Sequence, residues 1–484
     1  MFKRAVSVCS ELKATRSFHK ALQLNQEFEN PISRTLRILT DDIRNKKKEI
    51  LRDEYTPSLS RGFPRQADVV IIGGGAIGSS IAYWLKEKTS LEGISVVVLE
   101  KDPTYKSCST ALSVGGLRQQ FSLPENIQMS LYGAEFLRTL KKRFGPTADV
   151  NFHPHGYLLL ASQNGASQLV DNSKIQKELG AVNILLSKEN LKERFPYLDV
   201  SDVELGCLGL EKEGWFDPWS LLSLLKKGAT QLGAQYIHGE AVDFTFHEQT
   251  DIIVEGVETG NYQATNELVV KLPNEDECRT LEFSICIIAA GCESREIAQQ
   301  AKIGVGEGML SVPLPIERRK RYVYSFNCQQ NAPSINTPMV IDYSGMYFRR
   351  DGLGGSFIAG MSPELDDEPP TNNLDVDFSY FDDKIWPVLS KRVPAFEAIK
   401  VTNGWSGFYE YNTYDMNGII GPHPYYSSIY IASGFSGHGI QQAPAVGRAI
   451  AELILDGRFM TIDLTRLGFD RLIVDQPALE SEII

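Results

Sequence analysis

The chain has no long hydrophobic run. Uncharged apolar stretches such as residues 284–292 fall short of the ~20 residues a membrane-spanning helix needs. An integral helical membrane protein is therefore excluded on sequence. Paired cysteines are missing too. Cys9, Cys108, Cys207, Cys278, Cys286, Cys292 and Cys328 form no Cys-x-x-Cys pair and no zinc-like spacing. An odd count in a chain of 484 residues fits reduced thiols in a reducing compartment. Net basic charge is confined to the first residues. Lys3, Arg4, Lys13, Arg16 and Lys20 against Glu11 give residues 1–24 a charge of +4, whereas the rest of the chain carries −16. That acidic body lacks the basic footprint duplex nucleic acid requires, so no nucleic-acid partner is expected. No fixed-period repeat is present.

What is present suits a packed protein. Apolar residues make up 42% and charged residues 23%, which excludes global disorder. The length fits two to four domains or one interleaved pair. Residues 1–24 are basic, serine-containing and nearly free of acid. Phe2, Val6, Cys9, Leu12 and Lys13 recur at helical spacing, the pattern of a mitochondrial transit peptide. Residues 35–54 read as a charged helix and 55–65, with two prolines, as a linker.

Residues 68–72 (DVVII) form a short buried strand, followed at once by GGGAIG (73–78) and a helix to about Lys88. Residues 94–99 (ISVVVL) form the next strand, ending at Glu100. This is the strand–turn–helix–strand unit that binds a dinucleotide. Gly73 makes the tight turn, Gly75 admits a pyrophosphate to the backbone, and Gly78 lets helix pack on strand. The helix N-terminus at Ala76 and Ile77 supplies partial positive charge. Glu100 accepts from the ribose hydroxyls and disfavours the 2′-phosphate of NADP; Lys101 follows it. FAD and NAD remain open on this motif alone.

Further apolar strands at 281–290 and 428–432, the second leading into a glycine-rich turn and a helix over about 443–455, indicate a parallel sheet covered on both faces. The turn at 432–448 (ASGFSGHGIQQAPAVGR) offers backbone donors where a flavin ring gathers negative charge on reduction. Segments 153–161, 203–210, 319–328, 339–361 and 401–411 alternate in the manner of a separate antiparallel sheet. Residues 363–376 are acidic and proline-containing, and read as a surface loop.

Taken in order and spacing, GGGAIG, VVVLE, CIIAAG and ASGFSGHGIQQAPAVGR resemble the D-amino-acid-oxidase-type flavoprotein family, which includes sarcosine oxidase and the dimethylglycine and sarcosine dehydrogenases. The resemblance covers about residues 67–460. The strings SVGG (113–116), QQFSLPENIQ (119–128), EGWFDPW (213–219), RKRYVY (319–324), RVPAFE (392–397) and GFSGHG (434–439) resemble a mitochondrial branch of it that serves assembly of respiratory complex I.

The resemblance implies an α/β fold, α+β overall: a Rossmann-like FAD-binding domain interleaved with a substrate domain on a mixed, largely antiparallel sheet. The FAD domain is expected over 67–120, 218–312 and 404–460, the substrate domain over 121–217 and 313–403, and a C-terminal tail over 461–484. By position, the resemblance places Ser109, Thr110, Gly115 and Gly116 along pyrophosphate and flavin, and Val242 at adenine. It likewise places Ala290 and Gly291 at a second FAD turn, and Gly437, His438, Gly439 and Ile440 at the turn by the pyrimidine edge. Covalent flavin attachment in the family uses a histidine or a cysteine at positions occupied here by Leu112 and Phe408, which implies non-covalent FAD. The oxygen-activating lysine of family oxidases falls near Ile358, which implies a dehydrogenase rather than an oxidase.

For a substrate carboxylate, the candidates are Arg118, Arg349 and Arg350, with Tyr347 as a hydrogen-bond donor. Gln441 stands where sarcosine oxidase has a lysine. His438 reads either as a proton carrier or as a satisfied turn histidine. Two function classes follow: a small amine or amino-acid dehydrogenase, and a flavin-stabilised assembly factor of the mitochondrial matrix. The latter would contact complex I subunits or assembly intermediates, peripheral to the inner membrane.

Overall fold

The computed structural model describes residues 62–481, apart from 90–92, 251, 253–259, 261 and 274. The transit-peptide segment 1–24, the charged helix 35–54 and most of the linker 55–65 lie outside the described residues.

Two eight-stranded sheets organise the chain. In the first, Gln66–Ile72 runs parallel between Val96–Glu100 and Arg279–Ile288. Gln235–His238 and Ile429–Ser433 extend it in parallel on either side, and Ile419–Pro422 adds an antiparallel edge. The antiparallel ribbon of Glu240–Gln249 and Tyr262–Lys271 joins through the first half of Arg279–Ile288. The central strands are apolar without alternation because both faces are covered: Val70, Ile71, Val98, Ile287 and Ile288 are all fully buried.

Helices Ala76–Thr89, Pro218–Gln231 and Gly439–Asp456 share the core on one face, with Trp84, Leu221, Leu225 and Ile450 inside it. Residues 76–89 and 439–456 cross closely. A Cβ on Gly447 would lie 2.2 Å from the Ser80 Oγ, and the Trp84 indole donates to the Pro444 carbonyl at 3.0 Å. The crossing brings two helix N-termini, far apart in sequence, to one end of the sheet.

The second sheet runs Lys400–Asn412, Ile316–Asn327, Ser356–Gly360, Tyr347–Arg350, Met339–Ile341, Tyr157–Ala161, Leu205–Gly209, Asn183–Ser187. Every neighbouring pair is antiparallel except Met339–Ile341 with Tyr157–Ala161. The mixed, largely antiparallel sheet expected for the substrate domain is therefore present.

The boundaries move in three places. Residues 404–412, assigned on sequence to the FAD domain, belong to the second sheet, where strand Lys400–Asn412 pairs with Ile316–Asn327. Helix Pro124–Arg138, assigned to the substrate domain, buries Met129, Tyr132 and Phe136 in the core of the first. Residues 461–481 are no loose tail. Ile462, Leu464, Leu467 and Phe469 are buried, and Glu480 accepts from the amides of Ser122 (2.6 Å) and Leu123 (3.0 Å) and from Asn126 Nδ2 (2.6 Å). That carboxylate caps Pro124–Arg138, whose own N-cap residue, Leu123, has no side chain able to do so.

Candidate functional site

At the C-terminal ends of the parallel strands lies a cavity of about 380 Å³, which adjoins a second of about 260 Å³. Ala76, Ile77, Ser109, Thr110, Phe408 and Glu410 line both. This is the crevice position expected of a ligand on an open parallel sheet.

The larger cavity is built by the first strand–turn–helix unit. Gly73 adopts φ +104°, and a Cβ there would lie 2.3 Å from the Ala289 carbonyl oxygen. Gly78 is the packing glycine, its Cβ position 1.9 Å from the Gly73 oxygen. Gly75 differs from both. Its nearest neighbours would be Thr110 Oγ1 at 3.4 Å and Cys108 Sγ at 3.5 Å, so its missing side chain leaves open cradle. Helix Ala76–Thr89 has no acid in its first turn. Ala76 N–H donates to Thr110 Oγ1 at 3.1 Å. Glu100 accepts one amide on each oxygen, from Gly74 and Asp102, both at 2.8 Å. Further lone pairs remain for ribose hydroxyls. Burial pushes its carboxyl above the usual range, and those two amides pull it back. Lys101, Ala290 and Gly291 also line this cavity. Lys101 pairs with Glu293 at 2.5 Å.

Arg318 also reaches the larger cavity, a cation that the sequence reading did not select. It donates to Glu293 at 2.9 Å, lies 5.1 Å over the Phe408 ring, and has a buried Nε with no acceptor. Open cradle, helix N-terminus, ribose acid and partly unspent guanidinium together fit an FAD diphosphate and ribose.

The smaller cavity carries Gly437, Gly439 and Ile440 on one side and Tyr347 on the other. Its walls include Leu112, Val114, Val323, Met339 and Met361; no lysine, histidine or cysteine lines it among the described residues. Tyr347 is half-buried, and burial pushes its hydroxyl up to about 12, so it keeps its proton. Phe408 and Leu112 border the space where a covalent flavin link would form, and neither can form one. We expect acid or heat denaturation of the loaded protein to release all its flavin into the filtrate. Yellow colour retained on the precipitated polypeptide would refute this.

Several sequence candidates sit elsewhere. Arg118 donates through Nη2 to His438 Nε2 at 3.2 Å and lies over Phe121. Because a guanidinium only donates, this contact sets His438 as the Nδ1–H tautomer. Burial and the Arg118 charge lower the His438 imidazole to about 3. His438 is thus a satisfied turn histidine and no proton carrier near neutrality. Gln441 is buried and accepts from the Arg118 amide at 2.8 Å, so it holds the chain of 117–118 in place instead of meeting a ligand.

Arg349 and Arg350 point to opposite faces, as alternation requires. Neither lines the cavity. Arg349 donates to the Arg350 carbonyl (2.8 Å) and the Val114 carbonyl (3.2 Å), and Arg350 to the Pro333 carbonyl (2.6 Å). Gly115 and Gly116 are packing glycines, with Cβ positions 1.9 Å from the Phe216 oxygen and the Tyr157 hydroxyl. Val242 has left the cavity, whose wall there is Gly239, Glu240 and Ala241. Ile358 is wholly buried behind the wall, and Met361 and Ser362 reach the space instead.

Glu410 escaped the sequence reading. It accepts from the Gly434 amide at 3.0 Å and faces both cavities. Burial, opposed by the amides of Gly434 and Phe435, raises its carboxyl to about 7. Above that value a charged carboxylate stands beside the seat of an anionic ligand; below it the group is neutral. The apparent Kd for FAD should therefore fall several-fold between pH 8.5 and pH 6, and Glu410→Gln should flatten the profile. Quenching of flavin fluorescence on the apoprotein measures both; a flat wild-type profile would exclude the effect.

A family model described as FAD dependent oxidoreductase matches residues 68–453. The chain is 49% identical over 478 residues to FAD-dependent oxidoreductase domain-containing protein 1 homolog of Drosophila melanogaster, spanning 93% of this chain and 92% of that protein. It is 46% identical over 428 residues to FAD-dependent oxidoreductase domain-containing protein 1 of Bos taurus, spanning 87% and 88%. Among solved structures, L-proline dehydrogenase from P. horikoshii superposes with a TM-score of 0.69 at 25% identity, covering 86% of this chain and 100% of that one.

Proposed function

The chain belongs to the FAD dependent oxidoreductase family, and from that premise we propose that it is a mitochondrial flavoprotein serving the assembly of respiratory complex I. It would hold FAD non-covalently in the matrix, peripheral to the inner membrane, and contact complex I subunits or assembly intermediates through its surface. The observation that carries this reading is the state of the arginines around the smaller cavity. Arg118 is spent on His438, Arg349 on two carbonyls, and Arg321, which lines the space, on Glu368. As folded, Glu368 occupies both terminal nitrogens of Arg321, the arginine that lines the chamber. The +4 charge of residues 1–24 supports import. Among the described residues no helix is long and apolar enough to cross a membrane, which fits peripheral contact.

Depletion should lower assembled complex I, with partly built intermediates accumulating and the other respiratory complexes unchanged. A Tyr347→Phe chain that keeps its flavin should restore assembly if FAD serves the fold, and fail if turnover is needed. Normal complex I in cells lacking the protein would overturn the proposal.

A second reading, an amine or amino-acid dehydrogenase, is favoured by Tyr347, whose protonated hydroxyl faces a largely apolar chamber. Bound FAD would supply hydride acceptance there. The chain's own part is to exclude water with Leu112, Val114, Val323 and Met339, and to offer the Tyr347 hydroxyl as a hydrogen-bond donor. Anaerobic bleaching of the flavin by a panel of small secondary amines and amino acids tests this reading.

A further inference from the structure

Strand Ile316–Asn327 carries Arg319 and Arg321 on one face and Lys320 on the other. Arg321 lines the smaller cavity together with Tyr347 and Tyr409. Its guanidinium sits 4.9 Å over the Tyr409 ring. Both of its terminal nitrogens go to one carboxylate: Nη1 to Glu368 Oε2 at 2.8 Å and Nη2 to Glu368 Oε1 at 2.9 Å. Arg319 adds a third bond to the same group at 3.2 Å. The Arg321 Nε is buried and has no acceptor, so one donor of the fork remains unspent.

Glu368 comes from the acidic, proline-containing segment 363–376 that leaves the end of strand Ser356–Gly360. Further along, Asn373 accepts from Lys320 Nζ at 3.1 Å and the Leu374 carbonyl accepts from Ser406 Oγ at 2.6 Å. Since Lys320 and Arg321 face opposite ways, the segment passes around strand Lys400–Asn412, the edge of its sheet, and touches both faces. Only its Glu368 reaches an arginine of the chamber.

A bidentate carboxylate on a guanidinium that lines a ligand chamber is the geometry a ligand acid would adopt. Here the acid is the protein's own. We infer that Glu368 is an internal occupant of an anion seat built on Arg321, and that small carboxylate ligands of the chamber enter by displacing it. The pair is suited to exchange. Side-chain exposures of 17% and 20% leave water access to the pair, and an incoming carboxylate can replace Glu368 in the same bidentate geometry, bond for bond. Arg319 keeps a second partner in Glu317 at 3.5 Å, so departure of Glu368 does not strand it. The inference deepens the dehydrogenase reading and rests on it for the nature of the ligand, an amine or amino acid bearing a carboxylate.

The test uses the FAD-loaded full chain. Difference absorbance of the bound flavin is titrated with acetate and benzoate, with acetamide and benzamide as neutral controls. Glu368→Gln should lower the apparent Kd of the acids at least tenfold and leave the amides unchanged. Arg321→Gln should abolish the response to the acids while FAD content holds; should that chain lose flavin, Arg321→Lys should show weakened acid binding instead. The inference falls if Glu368→Gln leaves acid affinity unchanged, if the amides match the acids, or if neither acid perturbs the flavin in wild type or variant. Amine bleaching is scored separately. Acids that respond to Glu368→Gln with no amine ever bleaching the flavin would sink the dehydrogenase reading and keep the seat. Bleaching with no effect of Glu368→Gln would do the reverse.

Discussion

A Gly75→Val chain should fold and hold no FAD. The Cβ at Gly75 would meet nothing closer than Thr110 Oγ1 at 3.4 Å, so the polypeptide itself tolerates added atoms there. Those atoms fill the space over the amides of the first helical turn, where a diphosphate must approach. Kd for FAD should rise at least ~100-fold, equivalent to ~3 kcal/mol. The neighbouring glycines make the control. At Gly78 a Cβ would sit 1.9 Å from the Gly73 oxygen and at Gly73 2.3 Å from the Ala289 oxygen, both backbone. Gly78→Ala should lower thermal stability as well as binding. Flavin content and circular dichroism measured on both chains separate a blocked cradle from a broken fold. A Gly75→Val protein that retains stoichiometric flavin would mean the ligand does not lie on this turn.

The second large effect concerns Asp415. Its carboxylate accepts from Arg471 Nε at 2.7 Å and Nη2 at 3.0 Å, and from the Ala478 amide at 3.0 Å. The two side chains are 0% and 4% exposed. Removing one partner of such a pair leaves the other charge buried and uncompensated, at a cost of ~3–5 kcal/mol. Asp415→Ala should thus lower Tm by roughly 3–6 °C. Asp415→Asn, which keeps an acceptor, should cost less. Truncation after residue 460 removes Arg471, the buried Leu464, Leu467 and Phe469, and the Glu480 cap together, and should yield no soluble protein. Differential scanning fluorimetry checks the point variants. A stable truncated chain would show that residues 461–481 are dispensable packing.

The parallel half of the fold was legible because its strands are buried on both faces. DVVII and SIYIA, read as strands from continuous apolar runs, lie in Gln66–Ile72 and Ile429–Ser433 with small shifts at the ends. Helix Gly439–Asp456 begins several residues before the sequence reading starts it. Glycine and proline disfavour helix interiors, yet burial between two elements holds the turn before and around Pro444 helical. The cofactor turns were legible for the same reason glycine ever is: Gly73 and Gly437, at φ +104° and +89°, need a backbone few other residues adopt.

The chamber was far less legible. Alternation correctly separated Arg349 from Arg350, but period-two logic cannot say which face meets a cavity or which carbonyls absorb a guanidinium. Arg318 and Arg321 sit in and beside the string RKRYVY, and their importance depends on Phe408 and Tyr409 across the ladder, pairings invisible along the chain. Glu410 looked like an ordinary strand residue until its amide partners came from the turn at 434–435.

The crossing of Ala76–Thr89 by Gly439–Asp456 sets an order of events. Strand Gln66–Ile72 has Arg279–Ile288 as its neighbour, and the Trp84 indole waits for a carbonyl 360 residues later. Gln66–Ile72 can pair early with Val96–Glu100, but its other edge waits for residues 279–288 and the helix beside it for residues 439–456. Contacts of such high sequence separation form late and slowly. In any vectorial passage, from a ribosome or through a translocation pore, the first strands emerge with their apolar faces bare and their nucleotide turn incomplete. Flavin loading must then be among the last steps of maturation, and the unloaded, nearly finished chain is the species most in need of chaperone shelter.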